Sequence, residues 1–236
     1  SFTGQKINRA ELYRLFTTTH FEREKEKLEK TEKLPNKFNI LGSFYEYSKD
    51  LAINMYIRKK VSLQARPQGY KSLSIIDDQI KTVWERFFND NDQIIRYARR
   101  GAQLIEEEGF VRFYHKSIME YFAARHFYDE ILNFNPENEY KNYSLSAGLI
   151  IEKETDLILF LRDMMSVDTE KEKAGGLTIF DKKLIEVLNN DELHQTHIKT
   201  KGDNEFAVGY FFQNVFLMTL FRPHVFMHIF NKMPKS

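Results

Sequence analysis

The sequence predicts a mostly α-helical chain carrying one small β-hairpin, and three observations lead there. Glycine and proline, which most often interrupt regular structure, number only ten and five among 236 residues, so helix is the default. Apolar residues recur at spacings of three and four through several long stretches. One stretch, AQLIEEEGFVRFYH, breaks that rhythm. Two brief apolar runs flank Glu-Glu-Glu-Gly, and Gly109 suits the left-handed bend of a hairpin.

In chain order, residues 8–33 read as one helix. Leu12, Leu15 and Phe16 are spaced for one face. Phe21 and Leu28 are the apolar marks in FEREKEKLEKTEK, where acids and bases interleave as on a solvated face. Pro35 ends it. Residues 38–60 form a second helix with Ile40, Phe44, Tyr47, Leu51, Ala52 and Met55 recurring at three and four, and Arg58, Lys59 and Lys60 favour its C-terminal dipole. VSLQARPQGYKS, with Pro67 and Gly69, reads as a loop. SIIDDQIKTVWERFF follows as a third helix with Ile80, Val83, Trp84 and Phe87 inward. Asp92 can cap a short helix that ends before Gly101.

In the hairpin, Val111, Phe113 and His115 would share one face of the second strand. Three helices followed by a hairpin is the order of a winged-helix unit, so the expected division is a helical segment over 1–36, a winged-helix-like domain over 37–130 and a helical region over 131–236. Within the last part, TDLILFLRDMM and LTIFDKKLIEVLNN carry helical patterns. DTEKEKAGG, residues 168–176, reads as a charged linker. EFAVGYFFQNVFLMTLFRPHVFMHIF is the most apolar stretch. Gln213 and Asn214 interrupt it and Arg222–Pro223 ends it, so a buried helix is expected in preference to a membrane span of about 20 apolar residues.

Thirty-five basic and thirty-four acidic residues give no global electrostatic reason to bind nucleic acid or an anionic membrane. Arg96, Arg99 and Arg100 could make a basic helix, but the three glutamates at the hairpin tip would repel DNA, and no nucleic-acid partner is expected. The absence of cysteine excludes disulfides, thiolate catalysis and cysteine-ligated zinc. The polar N-terminal stretch lacks the apolar core of a secretory signal, and a cytoplasmic setting is expected. No initiator methionine is present, which suggests a chain cut from a longer one. His194 with His197, and His224 with His228, are the histidine pairs. The second is spaced for one helix face, yet Val225 stands where a zinc protease motif needs glutamate, and no metal site is expected.

The most informative stretch is GFVRFYHKSIMEYFAARHF, which begins like a strand and ends like a helix, with His115 at the join. Ser117 and Glu120 match a capping box, placing the helix start at Ile118. The first turn of a helix presents amide N–H groups and partial positive charge, a setting that suits phosphate, and a histidine beside it can donate a hydrogen bond to that anion. The plainer alternative is a histidine satisfied by a nearby carbonyl. The helix that follows is apolar almost all round, through Ile118, Met119, Tyr121, Phe122, Phe127, Tyr128 and Leu132, with Arg125 and Asp129 four apart to pair.

FYHKSIMEYFAARHF resembles the F-x-H-x-S-x-x-E-Y-F-x-A signature closing the winged-helix domain of NACHT-type signalling NTPases, members of the STAND class. RAELYRLFTTTHFEREKEKL is similar to the helix after the nucleotide-binding core of that family, and LGSFYEYSKDLAINMYI to its next helical stretch. YSLSAGLIIEKETDLILFLRD is similar to the segment following the winged helix. The resemblance covers residues 8–163, and residues 164–236 carry none. It implies that His115 reaches the β-phosphate of ADP and holds the molecule closed until ATP replaces it. Ser117 and Glu120 match the signature as helix caps.

A phosphate loop is absent: GYKS at Gly69 lacks the required glycines, and Asp77 and Asp78 have no such loop to serve. The resemblance therefore places a nucleotide-binding core N-terminal to Ser1, with ADP or ATP bound only by the longer protein, which would be the NTPase. This chain alone is expected to bind no cofactor and to hydrolyse no ATP. Its expected work is that of a regulatory, autoinhibitory arm. Its partners would be the upstream nucleotide-binding domain together with self-association or another protein. The alternative is a stand-alone helical interaction module, membrane-associated through its Phe-rich C-terminal region.

Overall fold

A computed structural model of the chain describes residues 7–32, 34, 38–65, 78–135, 138, 142–147, 154–171, 177–189 and 203–230. It is mostly helical with a small three-stranded antiparallel sheet. The chain divides into two compact units, one of residues 12–123, the other of the first eleven residues with those from Ala124 onward.

In chain order, α1 (Arg9–Thr31) is followed by α2 (Ile40–Ile57), β1 (Leu63–Gln64), α3 (Asp78–Phe87), α4 (Gln93–Gly101), β2 (Leu104–Glu107), β3 (Phe110–Phe113) and α5 (Lys116–Leu132), the first unit taking α1 from Leu12 and α5 as far as Ala123. The expected helices are present, and their ends are explained by local chemistry. Asn39 caps α2 by accepting from Gly42 N–H, and Asp92 caps α4 by accepting from the amides of Ile94 and Ile95. Helix α2 closes on Lys59, held at φ 54°, with the Lys60 amide donating to the Met55 carbonyl at 2.9 Å.

The hairpin forms where Glu-Glu-Glu-Gly predicts it. Glu108 (φ 52°) and Gly109 (φ 79°) make the two-residue turn, both positive as a type I′ turn requires. Leu104 faces Phe113 and Glu107 faces Phe110 across the ladder. The expected loop supplies a third strand that local pattern does not reveal: Leu63 pairs with Val111, giving the order β1-β3-β2.

The core of this unit centres on Phe122 of α5, fully buried. Its ring lies 6.1 Å from Phe21 of α1, 5.8 Å from Tyr45 of α2 and 6.1 Å from Phe113 of β3. Each such ring contributes about 1.5–3 kcal/mol by leaving water. Helix α1 corrects the expected face. Leu12, Leu15 and Phe16 are 56%, 38% and 54% exposed, while Thr17, Phe21 and Leu28 are buried. Seventeen, twenty-one and twenty-eight share one stripe at 100° per residue, and twelve, fifteen and sixteen fall on the opposite side. Thr17 enters the core because its hydroxyl donates to the Tyr13 carbonyl at 2.8 Å. The charged half of α1 is solvated and paired, Lys25 with Glu29 and Lys27 with Glu24.

The second unit holds α6 (Thr155–Lys171), α7 (Ile179–Leu188), α8 (Asp203–Leu220), α9 (Pro223–Phe230) and a 3-10 turn at Ser144–Ser146. Helix α6 runs to Lys171, so the first part of the expected charged linker is helical, and 172–176 lie outside the described residues. Asn8 caps α1 at the Glu11 amide (2.8 Å) and also donates to the Asp163 carbonyl (3.0 Å). The Phe-rich stretch splits at Arg222 into α8 and α9. Phe211, Val215 and Met218 are buried, and buried Asn214 donates to the Leu145 carbonyl at 2.9 Å. No helix among the described residues is long and apolar enough to cross a membrane.

Candidate functional site

The join between β3 and α5 is built from the strand outward. The Tyr114 amide donates to the Gln103 carbonyl at 2.8 Å, extending the ladder one residue past Phe113. The chain then turns at His115 and α5 begins at Lys116. Val111 and Phe113 share the buried face as expected, but His115 lies beyond the strand and is exposed.

The helix start differs from the expected capping box. Helix α5 opens two residues earlier than Ile118, and the capping atom is a ring nitrogen. His115 Nδ1 accepts from the Ser117 amide at 3.2 Å, and the His115 carbonyl accepts from Ile118 N–H at 3.0 Å. Ser117, buried inside the first turn, directs its hydroxyl elsewhere: Oγ lies 2.6 Å from His115 Nδ1 and 2.5 Å from the Tyr13 phenol oxygen. The Glu120 carboxylate, almost wholly buried, meets exposed Lys116 Nζ at 2.8 Å. A box motif and a histidine cap compete for the Ser117 amide, and the ring takes it because it stands one position before the first helical residue.

The hydrogen-bond network assigns the tautomer. An amide N–H pointing at Nδ1 requires a lone pair there, so the ring proton of neutral His115 sits on Nε2. The site therefore offers an exposed ring with a donor at Nε2, beside the positive end of a 17-residue helix. Such an arrangement can donate a hydrogen bond to an anion. Tyr13 is the member that sequence reasoning misses. It stands 104 positions from Ser117, and no local pattern records the contact.

The hairpin tip carries acidic residues, Glu106, Glu107 and Glu108. Ser62, Glu107, Glu108, Phe110 and Arg112 line an open depression, with Arg112 paired to Glu107 at 3.2 Å. On α4, Arg99 binds Asp90 and Arg100 binds Glu32, so two of the three arginines of the candidate basic helix already hold carboxylates.

The second unit contains a buried ionic cluster. Arg222 Nε and Nη2 donate to the two Asp181 oxygens at 2.6 and 2.5 Å, and Nη1 donates to the Met165 carbonyl at 3.0 Å. Thr178 and Asp181 form a reciprocal capping box at the start of α7. His224 Nε2 donates to Asp181 at 2.9 Å, so one member of the HVFMH pair holds a carboxylate. Burial pushes the Asp181 carboxyl up, but donors from Arg222, His224 and the Thr178 amide outweigh it and hold the group at about 2. Among the described residues no group of three or more such ligands is placed to hold a metal ion. The His228 side chain, His194, His197, Gly69 and Asp77 lie outside the described residues, as does the side chain of Asp78.

Set against models of known protein families the chain matches none, and no curated protein matches it.

Proposed function

We propose that this chain is the regulatory, autoinhibitory arm of an ATP/ADP-controlled signalling switch of the NACHT type. It works in the cytoplasm through contacts with a nucleotide-binding domain of its own longer chain and with protein partners, and is not catalytic by itself. His115 is its nucleotide-sensing residue, donating from Nε2 to the β-phosphate of ADP bound by that domain.

One observation carries this reading. The His115 ring is exposed at the start of α5, with Nδ1 engaged by the Ser117 amide and Nε2 left as an outward donor. Histidine filler in a core would be buried and satisfied on both nitrogens. The signature around His115 supplies the identity of the anion, and the helix start adds a favourable field for it. Leu12, Leu15 and Phe16, exposed together on α1, support a contact-making role. They equally suit the second reading, a helical interaction module that binds a protein partner and no nucleotide.

The experiment uses the longer chain that includes the nucleotide-binding core. His115→Ala is expected to weaken ADP binding by roughly tenfold or more, the effect of one hydrogen bond to a charged group, with circular dichroism unchanged. Equal ADP affinity in the two proteins would leave the interaction module as the better account.

A further inference from the structure

We infer that Tyr13 and Ser117 are positioning residues for His115, forming a donor relay from α1 that fixes which ring nitrogen carries the proton and where it points. The functional arm of this inference rests on the nucleotide reading above.

The direction of the relay follows from counting hydrogens. Ser117 Oγ has one hydrogen and two close neighbours, His115 Nδ1 at 2.6 Å and the Tyr13 phenol at 2.5 Å. The Ser117 amide already points at Nδ1, so Nδ1 holds no proton. The hydrogen between Oγ and Nδ1 is therefore the serine's own. The hydrogen between Oγ and the phenol must then come from Tyr13. The order of donation is Tyr13 hydroxyl to Ser117 hydroxyl to His115 Nδ1.

Ser117 is only 5% exposed, so water competes poorly for its hydroxyl. The Tyr13 ring is held by Tyr121 of α5, centroids 5.9 Å apart. Two donors at Nδ1 polarise the ring and make Nε2–H the stronger donor. They also lock ring rotation, which a single exposed histidine lacks. Because the first donor belongs to α1, a shift of α1 by little more than a bond length would break the relay and release the ring. The geometry thereby couples the seating of α1 to the anion-facing donor.

Ring nitrogen chemical shifts of His115 in the ¹⁵N-labelled chain, in mildly alkaline buffer, test the relay directly. A lone pair on Nδ1 and a proton on Nε2 are expected. Tyr13→Phe and Ser117→Ala should each move the Nδ1 resonance toward that of a free imidazole lone pair, with the amide spectrum otherwise retained. If Ser117→Ala fails to fold, Tyr13→Phe, which keeps the ring packing, decides alone. A proton on Nδ1, or a resonance that Tyr13→Phe leaves in place, overturns the relay. The functional arm is ADP release from the longer chain. Tyr13→Phe should speed release roughly tenfold when His115 is present and add nothing on top of His115→Ala. Independent, additive effects would remove Tyr13 from the sensing path. If His115→Ala itself changes nothing, the nucleotide reading falls, while the ring resonances still decide the relay.

Discussion

Among the described residues, His20 and Asp181 both have pKa values lowered by the fold, one a neutral ring and the other an ionised carboxylate. His20 of α1 donates from Nε2 to the Gly101 carbonyl at 3.1 Å. Burial lowers its pKa below the ordinary 6.5, only partly opposed by Glu24 and that carbonyl. A group lowered on folding binds its proton more readily in the unfolded chain, so stability falls as pH drops below 6.5. An NMR titration should give His20 a midpoint below 6.5; one at 6.5 would mean that the ring is solvated, and one above it that the ring is paired as a cation. Asp181 is a lowered carboxylate, so its contribution is complete above its ordinary value of 3.8 and is lost as pH falls through about 2. The shift corresponds to about 2–3 kcal/mol. Asp181→Asn leaves the Arg222 guanidinium buried opposite a neutral amide and should cost about 3–5 kcal/mol in urea unfolding. A loss below about 1 kcal/mol would mean that Arg222 reaches water in the folded state. Neither group is legible in the sequence. Asp181 and Arg222 stand 41 positions apart, and ion pairs at that range leave no periodic trace.

Helices and turns were the most readable elements because their causes are local. Asp92 before Gln93 and the Glu-Gly bend at 108–109 announce a cap and a hairpin within a few residues. Strand β1 was not readable, since two residues in a Pro/Gly-rich stretch become a strand only by pairing with β3. The buried face of α1 is not legible for a related reason. Apolarity alone favoured Leu12, Leu15 and Phe16, whereas the core selects the stripe that meets Phe44 and Phe122, namely the one carrying Phe21. The capping box expected at Ser117 does not form: α5 opens two residues before Ile118, and the His115 ring takes the Ser117 amide. At the α2–α4 packing a single glycine matters. A Cβ on Gly101 would stand 2.2 Å from the Phe44 ring. Gly101→Ala should therefore destabilise the protein by about 1–3 kcal/mol despite alanine's better helix propensity. A neutral or stabilising result in thermal unfolding would show that Phe44 can step aside.

For the whole molecule, a small three-stranded sheet and the helices packed with it present one exposed ring at the start of α5. Phe122 anchors the helix whose start carries His115, and Phe113 anchors the strand that leads to it. The exposed ring thus stands at the junction of two buried elements, where packing fixes its position and solvent remains accessible. The resemblance that suggests nucleotide control stops at residue 163. The helices beyond it are held by the Asp181–Arg222 cluster, which is structural in every contact it makes. The central claim is that His115 holds ADP through a hydrogen bond from Nε2, and its most direct test is the rate at which labelled ADP leaves the longer chain. Wild type should release slowest, His115→Gln, which keeps a donor of similar reach, at an intermediate rate, and His115→Ala fastest, by roughly tenfold or more over wild type. Identical release from all three proteins would contradict the account.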